Sequence, residues 1–198
     1  PRFYDVDKGE IELDGHNIND FSMKDLRDQV SFVPQKATLF TGTIRDNMKY
    51  GNPDATDDQI WHALEIARAT DFVEEDPAGL DLQVEQGGDN FSGGQKQRLA
   101  IARSLVKQAA VYVFDDSFSA LDFKTDADLR AALRADQHIQ QSITVIVAQR
   151  IATVADADLI LVLDNGKLVG KGTHDELRAN IKVYQEIIHS QLREEDDK

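Results

Sequence analysis

Phe91-Ser92-Gly93-Gly94-Gln95 opens the stretch that decides the fold. It continues through Lys96-Gln97-Arg98-Leu99-Ala100-Ile101-Ala102-Arg103 and, after a short break, into Val111-Tyr112-Val113-Phe114-Asp115-Asp116. Ser92 reads as the N-cap of a helix running to about Lys107. Gly93 and Gly94 let the backbone approach a ligand closely and leave amides unobstructed. A helix N-terminus gathers unpaired N–H groups and a partial positive charge, which suits phosphate. On those five residues alone, an ordinary Ser-capped glycine turn is an equally good reading. The second part is a short apolar strand ending in two carboxylates. That is a common polar strand end in α/β proteins and also a donor set for a hard cation.

Outward from this stretch, short apolar strands alternate with amphipathic helices, the pattern of an α/β protein. Gly9–Leu13 alternates and ends in an Asp14-Gly15 turn. Met23–Gln29 reads as a short helix and Val30–Val33 as a strand stopped by Pro34. Asp57–Ala69 puts Ile60, Leu64 and Ala67 on one helical face. Asp126–Gln137 is helical, Ile143–Ala148 and Leu159–Leu163 are buried strands, and Asn165-Gly166 is a hairpin turn. Thr173–Glu176 has capping-box spacing and starts a last helix. Buried strands separated by helices predict a mainly parallel sheet, whose ligands bind at the carboxyl ends. Three such ends are polar: Gln35, Asp115-Asp116 and Gln149.

Composition narrows the function. The 198 residues are 41% apolar, enough for a core, and carry 36 acidic against 22 basic side chains, a net charge of -14. That balance argues against a general nucleic-acid binder, which needs a basic stripe. There is no cysteine, so disulfides, thiolate metal sites and cysteine nucleophiles are excluded. No apolar run approaches the roughly 20 residues that span a bilayer. The five histidines are scattered, none at i+3 or i+4 from another, so they form no metal site of helical spacing. Trp61 reads as a packing residue. The charge run Arg193–Lys198 reads as a frayed, solvated end.

Taken together, Phe91–Arg103 resembles the signature segment of the ATP-binding cassette (ABC) family. In that register Val111–Asp116 resembles the Walker B strand, Ser119-Ala120-Leu121-Asp122 the D-loop, and Val33-Pro34-Gln35 the Q-loop. Val145–Arg150 resembles the switch segment. Leu39-Phe40-Thr41-Gly42-Thr43-Ile44-Arg45-Asp46-Asn47 is similar to the exporter-type stretch that packs near the coupling helices of a membrane domain. Gln83–Asn90 is similar to the exporter X-loop that senses the same helices.

The resemblance implies an α/β fold of the P-loop NTPase type, with a mainly parallel sheet and a helical signature subdomain. Residues 1–50 would be the end of an antiparallel β region and the Q-loop, 51–107 the helical subdomain, 108–185 the Walker B, D-loop and switch core, and 186–198 a tail. It implies ATP and Mg²⁺, with Asp115 and Gln35 on the metal and Ser92, Gly93, Gly94 and Gln95 on a partner's ATP. Catalytic roles would fall to Asp116, Gln149 and Gln35. It implies a second nucleotide-binding domain and transmembrane coupling helices as partners, no nucleic acid, and a place on the cytoplasmic face of the cell membrane.

Three departures stand out. Asp116 replaces the family's catalytic Glu and is shorter by one carbon–carbon bond, about 1.5 Å. Gln149 replaces a His and can only hydrogen-bond. No G-x-x-x-x-G-K-[ST] occurs, so the Walker A strand and loop are lacking. Those departures beside an intact signature resemble the degenerate half of a heterodimeric multidrug or lipid-type exporter, cut after Walker A. A truncated, non-catalytic partner-binding fragment is the alternative reading. A soluble cassette ATPase of chromosome maintenance or translation fits less well, since those carry coiled-coil insertions or paired cassettes and basic surfaces.

Overall fold

The computed structural model describes residues 1–196, with side chains as far as Gln191. They form two compact units, Pro1–Val147 and Ala148 onward. In the first, a small hairpin pairs β1 (Glu12–Leu13) with β2 (His16–Asn17). The strand expected over Gly9–Leu13 is thus only its last two residues. Asp14 and Gly15 both take positive φ, 53° and 75°, which turns the chain back at once. Helix α1 (Met23–Gln29) follows, capped by Ser22, and leads into β3 (Val30–Val33).

β4 (Gly42–Thr43) and α2 (Ile44–Lys49) come next, then α3 (Asp57–Ile66) and α4 (Thr70–Glu74). The helix expected to reach Ala69 ends at Ile66, because Arg68 turns left-handed at φ 56°. β5 (Gln83–Val84) pairs antiparallel with β4, Gly42 opposite Val84. α5 (Gly93–Val106) starts at Ser92 and β6 (Val111–Asp115) follows. α6 (Phe123–Ala135) is separated from α7 (Gln137–Gln140) by Asp136 in an extended conformation, which breaks the helix expected over Asp126–Gln137. β7 (Ile143–Val147) closes the unit.

The central sheet is parallel, in the order β3-β6-β7, with Val33, Phe114 and Ile146 in one register row. Its carboxyl ends therefore lie on one edge. One face carries Tyr112 and Phe114, at most 1% exposed, in a core shared with Leu99, Ile101 and Leu129. The other face is bare at β7, where Ile143, Val145 and Val147 are 61%, 43% and 49% exposed. The expected fully buried strand is a correction here: a β-branched run reads as covered on both faces, and the described residues cover one.

In the second unit α8 (Ile151–Val154) precedes β8 (Ile160–Asp164) and β9 (Lys167–Gly172), an antiparallel hairpin turned by Asn165 and Gly166. β8 alternates, with Ile160 and Val162 buried and Leu161 and Leu163 exposed, so it is buried on one face only. α9 (His174–Asn180) has the expected capping box between Thr173 and Glu176. Its Leu177 and the Tyr184 of α10 (Lys182–Asp196) complete a small core with β8. α10 runs to Asp196, so most of the acidic tail read as frayed is helical, while Asp197 and Lys198 lie outside the described residues.

Candidate functional site

At the carboxyl edge of the sheet, β6 delivers Asp115 and then Asp116, whose φ of 46° turns the chain sharply. Aspartate is among the few residues that tolerate this region, because its short polar side chain bonds locally. The turn is pinned on several sides. The Asp116 amide donates to the Val147 carbonyl at 2.8 Å and its carbonyl accepts from Ser119 Oγ at 2.7 Å. Gln35 arrives from β3 through Pro34, and its Nε2 donates to Asp116 Oδ2 at 3.0 Å. Two of the expected catalytic residues, far apart in sequence, therefore touch.

Ser117 holds these strand ends together. It is fully buried, and its hydroxyl donates to the Val33 carbonyl at 2.9 Å, two residues before Gln35. From the other side Gln97, also buried, donates from α5 to the Pro34 carbonyl at 3.5 Å. Sequence reading overlooked both. The available signal was a small polar residue directly after paired carboxylates, and an amide on the apolar side of a helix.

The glycine turn is at the start of α5, a helix of 14 residues. Ser92 Oγ accepts from the Gln95 amide at 3.2 Å, and Gln95 Oε1 accepts from the Ser92 amide at 2.9 Å, a closed capping box. Ser92 and Gly93 are exposed, and a Cβ at Gly93 would meet nothing within 4 Å. At Gly94 a Cβ would lie 3.6 Å from the Ala120 carbonyl oxygen. The turn thus abuts the loop Ser119–Asp122. Asp122 caps α6, and the Thr125 amide and hydroxyl hold its carboxyl below the usual range.

The stretches Leu39–Asn47 and Gln83–Asn90 meet through the β4–β5 ladder. Gly88, at φ 71°, sits against Leu39, with a hypothetical Cβ only 2.9 Å from Leu39 Cδ1. Asn47, 1% exposed, closes the first stretch by bonding both the amide and the carbonyl of Phe40. Asn90 closes the second through the Glu85 amide and the Gln83 carbonyl. Phe40 and Tyr50 stay exposed on the surface as a ring pair 4.5 Å apart.

Gln149 belongs to the second unit, where its carbonyl accepts from Gln191 Nε2 at 2.6 Å. For a hard cation, Asp115 and Gln35 offer one carboxylate and one amide oxygen, which fits a site completed by water or phosphate oxygens. For nucleotide phosphate, the amides of Gly93 and Gly94 at the start of α5 fit, those of Ser92 and Gln95 being taken by the capping box. A glycine-and-lysine phosphate loop does not occur among the 198 residues.

A protein-family model described as "ABC transporter" matches residues 2–119. An uncharacterized ABC transporter ATP-binding protein of Mycobacterium tuberculosis (strain H37Rv) is 47% identical over 193 residues, 96% of this chain and 32% of that protein. A Staphylococcus aureus (strain NCTC 8325) protein, provisionally described as a multidrug export ATP-binding/permease protein, is 42% identical over 187 residues, again 32% of its length. Among solved structures, a bacterial Atm1-family ABC exporter with ATP bound superposes with a TM-score of 0.91 at 39% identity, covering 96% of this chain and 33% of that one. The chain spans about a third of the length of each.

Proposed function

This chain belongs to the ABC transporter family, and from that premise we propose that it is the ATP-binding part of an exporter that couples ATP binding and hydrolysis to transport. Its partners are transmembrane coupling helices and a second nucleotide-binding domain, on the cytoplasmic face of the membrane. Its exposed Ser92–Gln95 turn completes the partner's ATP site, with Ser119–Asp122 at the same interface. Its own hydrolytic side is the weaker one, with Asp115 and Gln35 toward Mg²⁺ and Asp116 and Gln149 toward the reacting water.

The observation that carries this reading is the contrast between the two faces. The turn at Ser92 is capped, exposed and open at Gly93. Asp116 is short, held at positive φ and engaged by Gln35. A misplacement of about 1 Å in a reacting group can cost roughly 10²-fold in rate. Phe40 and Tyr50, exposed beside the joined 39–47 and 83–90 segments, support a membrane-domain partner there.

The test is ATP hydrolysis by the complete transporter. Asp116→Glu with Gln149→His is expected to raise it, and an unchanged rate removes the main support for a degenerate site. Ser92→Arg is expected to abolish hydrolysis at the partner's site. The 198-residue chain alone is expected not to bind ATP, because it has no glycine-and-lysine phosphate loop, and tight Mg²⁺-ATP binding would overturn that account. Faster hydrolysis by an intact cassette on mixing, lost with Ser92→Arg, marks a working signature face. No effect on mixing favours the fragment.

A further inference from the structure

Gln35 lies two residues beyond the last pair of the β3–β6 ladder, Val33 with Phe114. Pro34 has no N–H with which to extend that ladder. Past Val33, side chains bond the carbonyls of the segment that carries Gln35. Gln97, 2% exposed, donates from α5 to the Pro34 carbonyl at 3.5 Å, the long end of hydrogen bonding. Ser117 makes the shorter bond, from its Oγ to the Val33 carbonyl at 2.9 Å, with the Asp115 carbonyl 3.4 Å away.

Ser117 directly follows Asp116, whose left-handed turn at φ 46° lets two neighbouring side chains reach the same segment. One turn thus grips the end of β3 twice. Asp116 Oδ2 accepts from Gln35 Nε2 at 3.0 Å, and Ser117 holds the backbone two residues earlier. The two grips differ in surroundings. Gln35 is exposed, so water competes for its amide. Ser117 is 0% exposed, so no solvent replaces its hydroxyl. A buried carbonyl that loses its donor is costly, and the relief open to it is a shift of residues 33–35, which moves the Gln35 amide.

We propose that Ser117 is a positioning residue for this chain's own hydrolytic side: its hydroxyl fixes the end of β3 to the Asp116 turn and so sets where the Gln35 amide stands against Asp116 and Mg²⁺. This rests on the roles given to Gln35 and Asp116 under the function proposed above. Ser117 acts through those two residues.

The experiment reads turnover on this chain within the complete transporter in lipid nanodiscs. A photoreactive azido-ATP labels the chain in the cold without turnover, which reports binding and a folded site. On warming with orthovanadate it stays trapped only where hydrolysis has occurred. Ser117→Ala is expected to leave cold labelling unchanged and to slow trapping on this chain about tenfold, the loss of one hydrogen bond at a buried group. It is also expected to raise the Mg²⁺ concentration for half-maximal trapping.

Ser31→Ala is the control. Ser31 is also on β3, 5% exposed, and its hydroxyl also donates to a carbonyl at 2.9 Å, that of Ser104. It loses the same kind of bond, but that bond runs to α5 and not to the Asp116 turn. Its melting temperature is expected to fall as that of Ser117→Ala does, with trapping as in wild type. Equal trapping by Ser117→Ala and wild type, an equal loss in both serine variants, or cold labelling lost together with trapping would each overturn the proposal. Wild-type protein that labels in the cold and hydrolyses ATP, but never traps on this chain, would overturn it too and leave the exporter reading standing. Wild-type protein with neither labelling nor hydrolysis would overturn both.

Discussion

Gln35 Nε2 donates to Asp116 Oδ2 across 3.0 Å, joining residues 81 positions apart. The contact depends on the left-handed turn at Asp116, and that geometry sets the residues the position accepts. Asparagine is at home at positive φ and keeps an acceptor for Gln35. Glutamate loses the local bonding and reaches about 1.5 Å further, past Gln35. Asp116→Asn is therefore expected to leave the melting temperature unchanged. Asp116→Glu is expected to cost about 1 kcal/mol, even where it raises ATP hydrolysis. Thermal melts of the two variants side by side check this.

Ser92 has two separable roles. Its Oγ caps α5, and the exposed turn is proposed to meet phosphate. Ser92→Ala is expected to cost about 1 kcal/mol of stability. Ser92→Asp keeps a good cap and so keeps stability, but places a negative charge where phosphate must come. Melting should separate Ala from wild type, and partner-site hydrolysis should separate Asp from wild type. Equal hydrolysis by Ser92→Asp and wild type would contradict phosphate binding at this turn.

Much of this was legible in the residues, and what was not has physical causes. Met23–Gln29, Val30–Val33 and the Ser92 cap were readable because each boundary carries its own local chemistry: an N-cap, a proline, a capping box. The breaks at Arg68 and Asp136 were not, because both interrupt otherwise continuous helical patterns by single-residue backbone choices. Asp115, Asp116 and Gln35 could be placed at strand ends, yet their contact needed the β3–β6 register. Ser117 and Gln97 stood out only as polar residues in apolar settings, and their partners could not be named because these are carbonyls, which every residue has.

Gly51, two residues past the end of α2, sits against the backbone of α5. A Cβ there would lie 2.2 Å from the Arg103 carbonyl oxygen, and backbone on both sides cannot yield cheaply. Gly51→Ala is expected to destabilise by about 1–3 kcal/mol through overpacking, far more than the usual glycine-to-alanine change. Denaturant midpoints of wild type and variant would show it. A neutral Gly51→Ala would mean α2 and α5 can separate freely.

Asp136 makes stability depend on pH. Burial pushes its carboxyl up, but the Ile139 amide, His62 and the His138 amide outweigh that and hold it below the usual range. A depressed folded-state value contributes stability that is present above the unfolded value, about 4, and lost as pH falls through the folded one. The melting temperature should therefore fall between neutral pH and pH below about 4, and fall less steeply in Asp136→Asn. Asparagine retains the α7 cap, so at neutral pH that variant should be within about 1 kcal/mol of wild type.

The bare face of β7 governs how the 198-residue chain behaves by itself. Ile143, Val145 and Val147 project from one face of β7, which among the described residues is an edge strand paired with β6 alone, and they leave β-branched surface in water. Parallel strands are normally covered on both faces, and an edge strand with apolar side chains is a template for another chain. The isolated chain is expected to self-associate in a concentration-dependent way through this strand. Val145→Lys puts a charge at its centre, 43% exposed and away from the core. It should shift light scattering toward the monomer without lowering the melting temperature, since no buried contact is lost. Scattering that is unchanged in Val145→Lys would place the self-association elsewhere, with the exposed Leu161 and Leu163 of β8 as the next surface to charge.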